Sequence, residues 1–123
     1  MRGGAGERAT LPRGERLRDG AEIDRLFRWG ARIERSAFAL LWMPAAGRRA
    51  AAFTAGRRVG QSVRRNRARR RLREAYRRVK QDAPVQGIRL CFVARPRAVD
   101  LAFPDLTAQV GEALQHVGRR IAS

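Results

Sequence analysis

Residues 57–80 read RRVGQSVRRNRARRRLREAYRRVK, with twelve basic residues and a single acid, Glu74. Two periods run through this stretch. Ala68, Leu72, Ala75, Tyr76 and Val79 recur at helical spacing and form a thin apolar stripe, which predicts a helix over residues 62–79. Asn66, Arg69, Arg70, Arg73 and Arg77 follow one another at i, i+3, i+4, i+7 and i+11 and share a face beside that stripe, while Arg67, Arg71 and Arg78 lie on the opposite flank. Like charges at i,i+4 destabilise an isolated helix by roughly 0.2–0.5 kcal/mol a pair. A helix that stacks them this way is compensated by something anionic, since a merely soluble face mixes signs.

Working outward from the helix, strand signals lie on both sides. Upstream, residues 36–43 alternate so that Phe38, Leu40 and Trp42 share one face while Leu41 and Met43 share the other, as in a strand covered on both sides. Residues 44–49 read as a turn, residues 50–55 as a weaker strand, and Gly56 and Gly60 bracket the loop before the helix. Downstream, Pro84 and Gly87 punctuate a turn, and residues 88–94 form a strand with Ile88, Leu90 and Phe92 on one face. At the ends of the chain, Ile23, Leu26 and Phe27 mark a helix over residues 19–29 stopped by Gly30. Pro104, placed at a first helical position, opens a last helix whose seam is Leu106, Val110, Leu114, Val117 and Ile121. The order α-β-β-α-β-α makes residues 15–123 one mixed α/β domain, an α+β sandwich with helices covering a small sheet. Residues 1–14, Gly/Arg-rich and without apolar period, read as a flexible basic tail.

Charge narrows the partner. The 123-residue chain carries 28 Lys+Arg against 11 Asp+Glu, a net charge of +17. That excess repels itself in a compact state and favours a polyanionic partner. Lys80 is the only lysine; arginine's planar fork grips phosphate bidentately and stacks on bases, which suits RNA. A membrane helix would set bulky apolar residues opposite its charges, and this stripe is thin and rich in alanine. No zinc-finger, zipper or helix-turn-helix pattern argues for DNA. A DNA-binding module or another kind of RNA binder, such as a ribosomal protein or RNA chaperone, stays open on charge alone. With one cysteine, Cys91, no intrachain disulfide or zinc cluster forms. No stretch reaches the roughly 18 apolar residues of a membrane span, and residues 1–14 lack the apolar core of a signal peptide, so a cytoplasmic location is expected.

The run from Gly56 to Arg77 resembles the signature of the protein subunit of bacterial ribonuclease P: two basic residues, a hydrophobe and glycine, then Arg65-Asn66-Arg67, a basic pair, and Arg73-Glu74-Ala75-Tyr76-Arg77. Arg16-Leu17 and Phe27-Arg28-Trp29-Gly30 resemble the opening helix of that family, and Phe92-Val93-Ala94-Arg95-Pro96 its later strand, so the likeness covers roughly residues 15–118. The resemblance implies an α/β sandwich with a left-handed βαβ crossover, against the usual right-handed rule. It further implies a tRNA-processing role: endonucleolytic removal of the 5′ leader from precursor tRNA, with the chemistry carried by a catalytic RNA and by Mg²⁺ held mainly by that RNA. Carried over, contact with the catalytic RNA falls on Arg57, Arg58, Arg65, Asn66, Arg67, Arg69, Arg70 and Arg73. The leader falls to a cleft at Ile23, Phe27 and Leu41. Ile23 and Leu41 stand where the family commonly has aromatics, which implies apolar contact in place of base stacking, worth about 1–3 kcal/mol per base.

Other candidate chemistry is sparse. His116 is the only histidine, Cys91 alternates with Leu90 and Phe92 as a small buried hydrophobe would, and Glu22 and Asp24 fall on different helix faces, a poor acid–base pair. Trp29, Phe38 and Phe53 read as core. No catalytic side chain is expected on the protein.

Overall fold

A computed structural model describes residues 15–82 and 86–122; the tail assigned to residues 1–14 lies outside them. The elements run α1 (Gly20–Trp29), β1 (Ala31–Glu34), β2 (Phe38–Arg48), β3 (Ala50–Ala55), a 3₁₀ turn (Arg57–Val59), α2 (Ser62–Val79), a second 3₁₀ turn (Lys80–Asp82), β4 (Gln86–Ala94), the short α3 (Arg97–Asp100) and α4 (Phe103–Ala122). The four strands form one mixed sheet in the order β1-β2-β4-β3. β1–β2 and β2–β4 pair antiparallel, whereas β3 and β4 pair parallel and are joined through α2, so the expected βαβ unit is present.

The alternation along β2 sorts its side chains to two cores. Phe38, Leu40 and Trp42 join Leu90, Phe92, Leu72, Tyr76, Leu106 and Leu114 beneath α2 and α4. Leu41 joins Leu17, Leu26, Ala50, Ala52 and Cys91 beneath α1. Phe53 stacks on Phe92 with ring centres 5.3 Å apart and meets Tyr76 edge-on at 5.7 Å, so Phe38 and Phe53 are core as expected. Trp29 is not: its side chain is 74% exposed, because Gly30 ends the helix before that flank can reach the sheet.

Further differences separate the fold from its sequence reading, among them the short α3, which the expected order lacks. β1 was absent from the expected order; its residues ARIE bury only Ile33, so it is held by backbone pairing that leaves no apolar period. The expected turn at 44–49 is largely strand. β1 stops opposite Trp42, so Pro44 lies where β2 has a free edge and its missing N–H costs no ladder bond on that side. A register shift between Pro44 and Arg48 then bends β2 away. The last helix begins at Phe103 rather than Pro104, a one-residue difference at a helix end.

Two glycines are sterically required. A Cβ on Gly30 would sit 2.6 Å from the Leu26 carbonyl oxygen, at the point where α1 turns into β1. Gly60 takes φ +130° between the 3₁₀ turn and α2, a conformation that L side chains rarely adopt.

Residues 15–17 lie along the outer edge of β3, with the Leu17 N–H donating to the Ala51 carbonyl at 2.9 Å. A buried ionic cluster fixes this segment: Arg49 Nε and Lys80 Nζ donate to the two oxygens of Glu15 at 2.7 and 2.5 Å. Burial alone would raise the Glu15 carboxyl; the hydrogen bonds and charges of Lys80 and Arg49 outweigh it and hold the carboxyl below its ordinary value.

Candidate nucleic-acid interface

Two basic surfaces lie on opposite sides of the sheet. The first is α2. Its buried face is Ala68, Leu72, Ala75 and Tyr76, which fixes the rotation of every arginine on the helix. Asn66 and Arg70 are exposed, Arg65, Arg69 and Arg73 lie half-buried beside them, and Arg69 donates to the Asn66 amide oxygen. Arg65 also braces the turn before the helix by donating to the Gly60 carbonyl at 3.2 Å. Arg73 reaches over the Phe53 ring, 5.8 Å from its centre. Burial, followed by the positive field of Arg16, Arg69 and Arg70, lowers its guanidinium below the ordinary arginine value. Burial disfavours charge of either sign, whereas the positive field of Arg16, Arg69 and Arg70 attracts an anion.

The opposite flank of α2 has a different job. Arg67 Nε donates to the Val99 carbonyl at 3.2 Å, and Arg71 donates to the carbonyls of Ala98 and Leu101 at 2.8 and 2.6 Å. These are carbonyls in and just beyond α3, where the negative end of a helix welcomes a cation. Arg77 and Arg78 share Glu74, at 2.7 and 3.2 Å. Arg67, assigned to RNA contact by resemblance, therefore ties α2 to α3.

The second surface is the α1 side of the sheet. Strand register defines its rows: Arg32, Leu41, Cys91 and Ala52 lie side by side, and Glu34, Ala39, Val93 and Thr54 form the next row. α1 lies over the first row; in the second, Ala39 is buried while Val93 and Thr54 are half-buried and Glu34 is exposed. Glu22 pairs with Arg89 at 3.0 Å on one flank of α1. By helical periodicity Ile23 and Phe27 occupy the other flank, toward the second row. Phe27 is 52% exposed and Ile23 half-buried, but Leu41 is 2% exposed, sealed under α1 with Leu26 and Cys91. Leu41 thus supports the cleft from below and does not line it.

A groove of about 470 Å³ opens over the second row, lined by Ala39 and Val93 and flanked by Arg32, Arg57, Arg58 and Arg95. Arg57 and Arg58, grouped by resemblance with the basic helix, are here part of the groove wall. Arg95 and Arg32 both donate to Glu34, which holds two guanidinium groups at the β1 rim. Sequence reasoning did not single out Arg32; nothing in a four-residue polar strand announces the groove that folding builds beside it. It also gave no site role to Arg16 and Arg18, which meet Arg73 and the called cleft residue Ile23 in a second hollow beside β3.

Cys91 is buried, and burial pushes its thiol up to about 11 despite a hydrogen bond with Thr54. Among the described residues no group of three or more His, Cys, Asp or Glu side chains gathers where an ion would sit. No helix among the described residues is long and apolar enough to cross a membrane.

A small α/β sandwich with an arginine-faced helix on one side of its sheet and an arginine-walled groove on the other has the form of a polyanion-binding protein. The chain belongs to the ribonuclease P family, whose model, described as Ribonuclease P, matches residues 11–118. The ribonuclease P protein component of Symbiobacterium thermophilum is 44% identical over 70 residues, 54% of this chain and 56% of that protein. That of Roseiflexus sp. is 45% identical over 67 residues, 54% of each. The chain spans little more than half the length of the curated relatives it matches. In fold it matches the RNase P protein of Thermotoga maritima, with a TM-score of 0.72, 22% identity, and coverage of 83% of this chain and 96% of that one. It also matches the RNase P protein of Staphylococcus aureus, with a TM-score of 0.63, 21% identity, and coverage of 89% and 95%.

Proposed function

We propose that this chain is the protein subunit of a ribonuclease P holoenzyme, an endoribonuclease that removes the 5′ leader of precursor tRNA in the cytoplasm. The stripe of Arg65, Arg69, Arg70 and Arg73 neutralises phosphates of the catalytic RNA, and the Asn66 amide among them hydrogen-bonds the same backbone. The surface that runs from the Ile23–Phe27 flank of α1 to the groove walled by Arg57, Arg58 and Arg95 holds the single-stranded leader. What carries this reading is the placement of two basic surfaces on opposite faces of one sheet, which lets a single small domain grip two RNA segments at once.

The chemistry belongs to the RNA in this account. Mg²⁺ is the ion of cleavage in this account and is held mainly by the RNA subunit. The protein contributes position and charge. Arginine walls over an apolar floor bind the leader backbone, and the Phe27 ring supplies one stacking surface.

Reconstitution tests the proposal. Added to a bacterial catalytic RNA of this type and precursor tRNA at low magnesium, the chain should restore accurate 5′ cleavage and cleave nothing alone. Failure to restore cleavage, while binding other structured RNAs equally well, would favour a general RNA chaperone.

A further inference from the structure

Trp29 takes no part in either surface described above. It stands two residues beyond Phe27 on α1, a rotation of about 200° at 3.6 residues per turn, so the two rings project from opposite flanks of the helix. The Trp29 flank borders a groove of about 410 Å³ with Trp42, Met43, Pro44 and Ile121. Ile121 is also partly exposed, at 39%, so the indole belongs to an apolar patch and is not a lone surface residue. On the helix side its neighbours are Asp24, Arg25 and Arg28, and Arg120 lines the groove from α4. Three arginines against one carboxylate around an exposed indole match single-stranded RNA, whose bases stack on aromatic faces while cations track the backbone.

We propose that the Trp29 flank of α1 is a second stacking site for the leader, which takes a base upstream of the nucleotides held in the Phe27 groove. This rests on the groove reading given above. Phe27 and Trp29 lie about 3 Å apart along the helix axis but on opposite flanks of a helix about 10 Å wide, so a leader leaving the groove crosses the end of α1 at Gly30 to reach the indole. The groove reaches from α1 to Arg120 and Ile121 of α4, which packs beside α2; the leader is favoured over the catalytic RNA as the occupant because Trp29 shares α1 with Phe27. A second copy of this chain is disfavoured by a net charge of +17 on each.

The test uses the reconstituted holoenzyme and two precursor tRNAs, one with a leader just long enough to fill the groove and one extended upstream by several nucleotides. Trp42 is 7% exposed against 74% for Trp29, so quenching of accessible tryptophan emission reports on Trp29. The extension should quench that emission and tighten binding about tenfold, the equivalent of about 1.4 kcal/mol. Trp29→Ala should erase the tenfold gain and leave short-leader binding intact. Trp29→Phe should keep most of it, and abasic nucleotides in the extension should abolish it whatever the flanking sequence. A gain that persists in Trp29→Ala, an extension that adds nothing while the short leader still helps, or quenching by the catalytic RNA alone would each overturn the Trp29 site. A short leader that gives no advantage over mature tRNA would overturn the groove reading and this one with it.

Discussion

Arg67 donates its Nε to the carbonyl of Val99 across 3.2 Å, fastening the basic helix to the short helix that follows β4. Arg70, one helical turn away and exposed, makes no ion pair among the described residues. Two arginines of one motif thus have different duties. Arg67→Ala should lower unfolding free energy by about 1 kcal/mol, the worth of one partly exposed charged hydrogen bond. Arg70→Ala should leave stability unchanged and weaken only RNA binding. Urea denaturation of both variants separates the two, and equal stabilities would remove the structural role of Arg67.

The α2 stripe predicts a steep salt dependence. Each neutralised phosphate contributes about 0.7–0.9 to the slope of log affinity against log salt. Replacing Arg69 and Arg70 together with alanine should therefore lower that slope for the catalytic RNA by about 1.5. An unchanged slope would place the phosphates elsewhere.

Glu15 predicts an acid limit to stability. Its carboxyl is held below the ordinary value in the folded state, so its contribution is complete above the unfolded value of 4.5 and is lost as pH falls through the lower folded value. Glu15→Gln should remove about 3 kcal/mol at neutral pH, because it leaves Arg49 buried beside an uncharged partner. It should also flatten the stability profile below pH 4.5. A variant that keeps the wild-type acid dependence would show that other carboxylates set it.

Cys91 predicts chemical silence. With its thiol buried and pushed up to about 11, it should react with a thiol reagent at pH 8 only as fast as the protein opens. A rapid reaction in native buffer would contradict its placement under α1.

Much of this was legible in the residues. The span of α2 follows from its apolar stripe, and the two faces of β2 from strict alternation, because burial on one or both sides leaves a period that composition alone carries. β1 and α3 were not legible: β1 buries one side chain, α3 is four residues long, and both are held by backbone bonds or by arginines distant in the chain. The groove was only half legible. The helix period placed Phe27 on α1 and the family resemblance gave it a cleft role, but Leu41 lies below the surface under α1 and Arg57 and Arg58 lie in the groove wall, which only the folded sheet shows. Trp29 failed for a related reason: the helix period puts it at the edge of the apolar stripe, and only the position of the sheet shows that nothing covers it.

The central claim is that one face of the sheet holds the catalytic RNA while the other holds the leader, and Phe27 separates the two most directly. The decisive measurement is the ratio of precursor to mature tRNA affinity for holoenzyme reconstituted with Phe27→Ala. The ratio should fall about tenfold, the loss of one stacked base, with the protein's affinity for the catalytic RNA unchanged. Equal losses for precursor and mature tRNA, or a loss of assembly with the catalytic RNA, would contradict the division of labour.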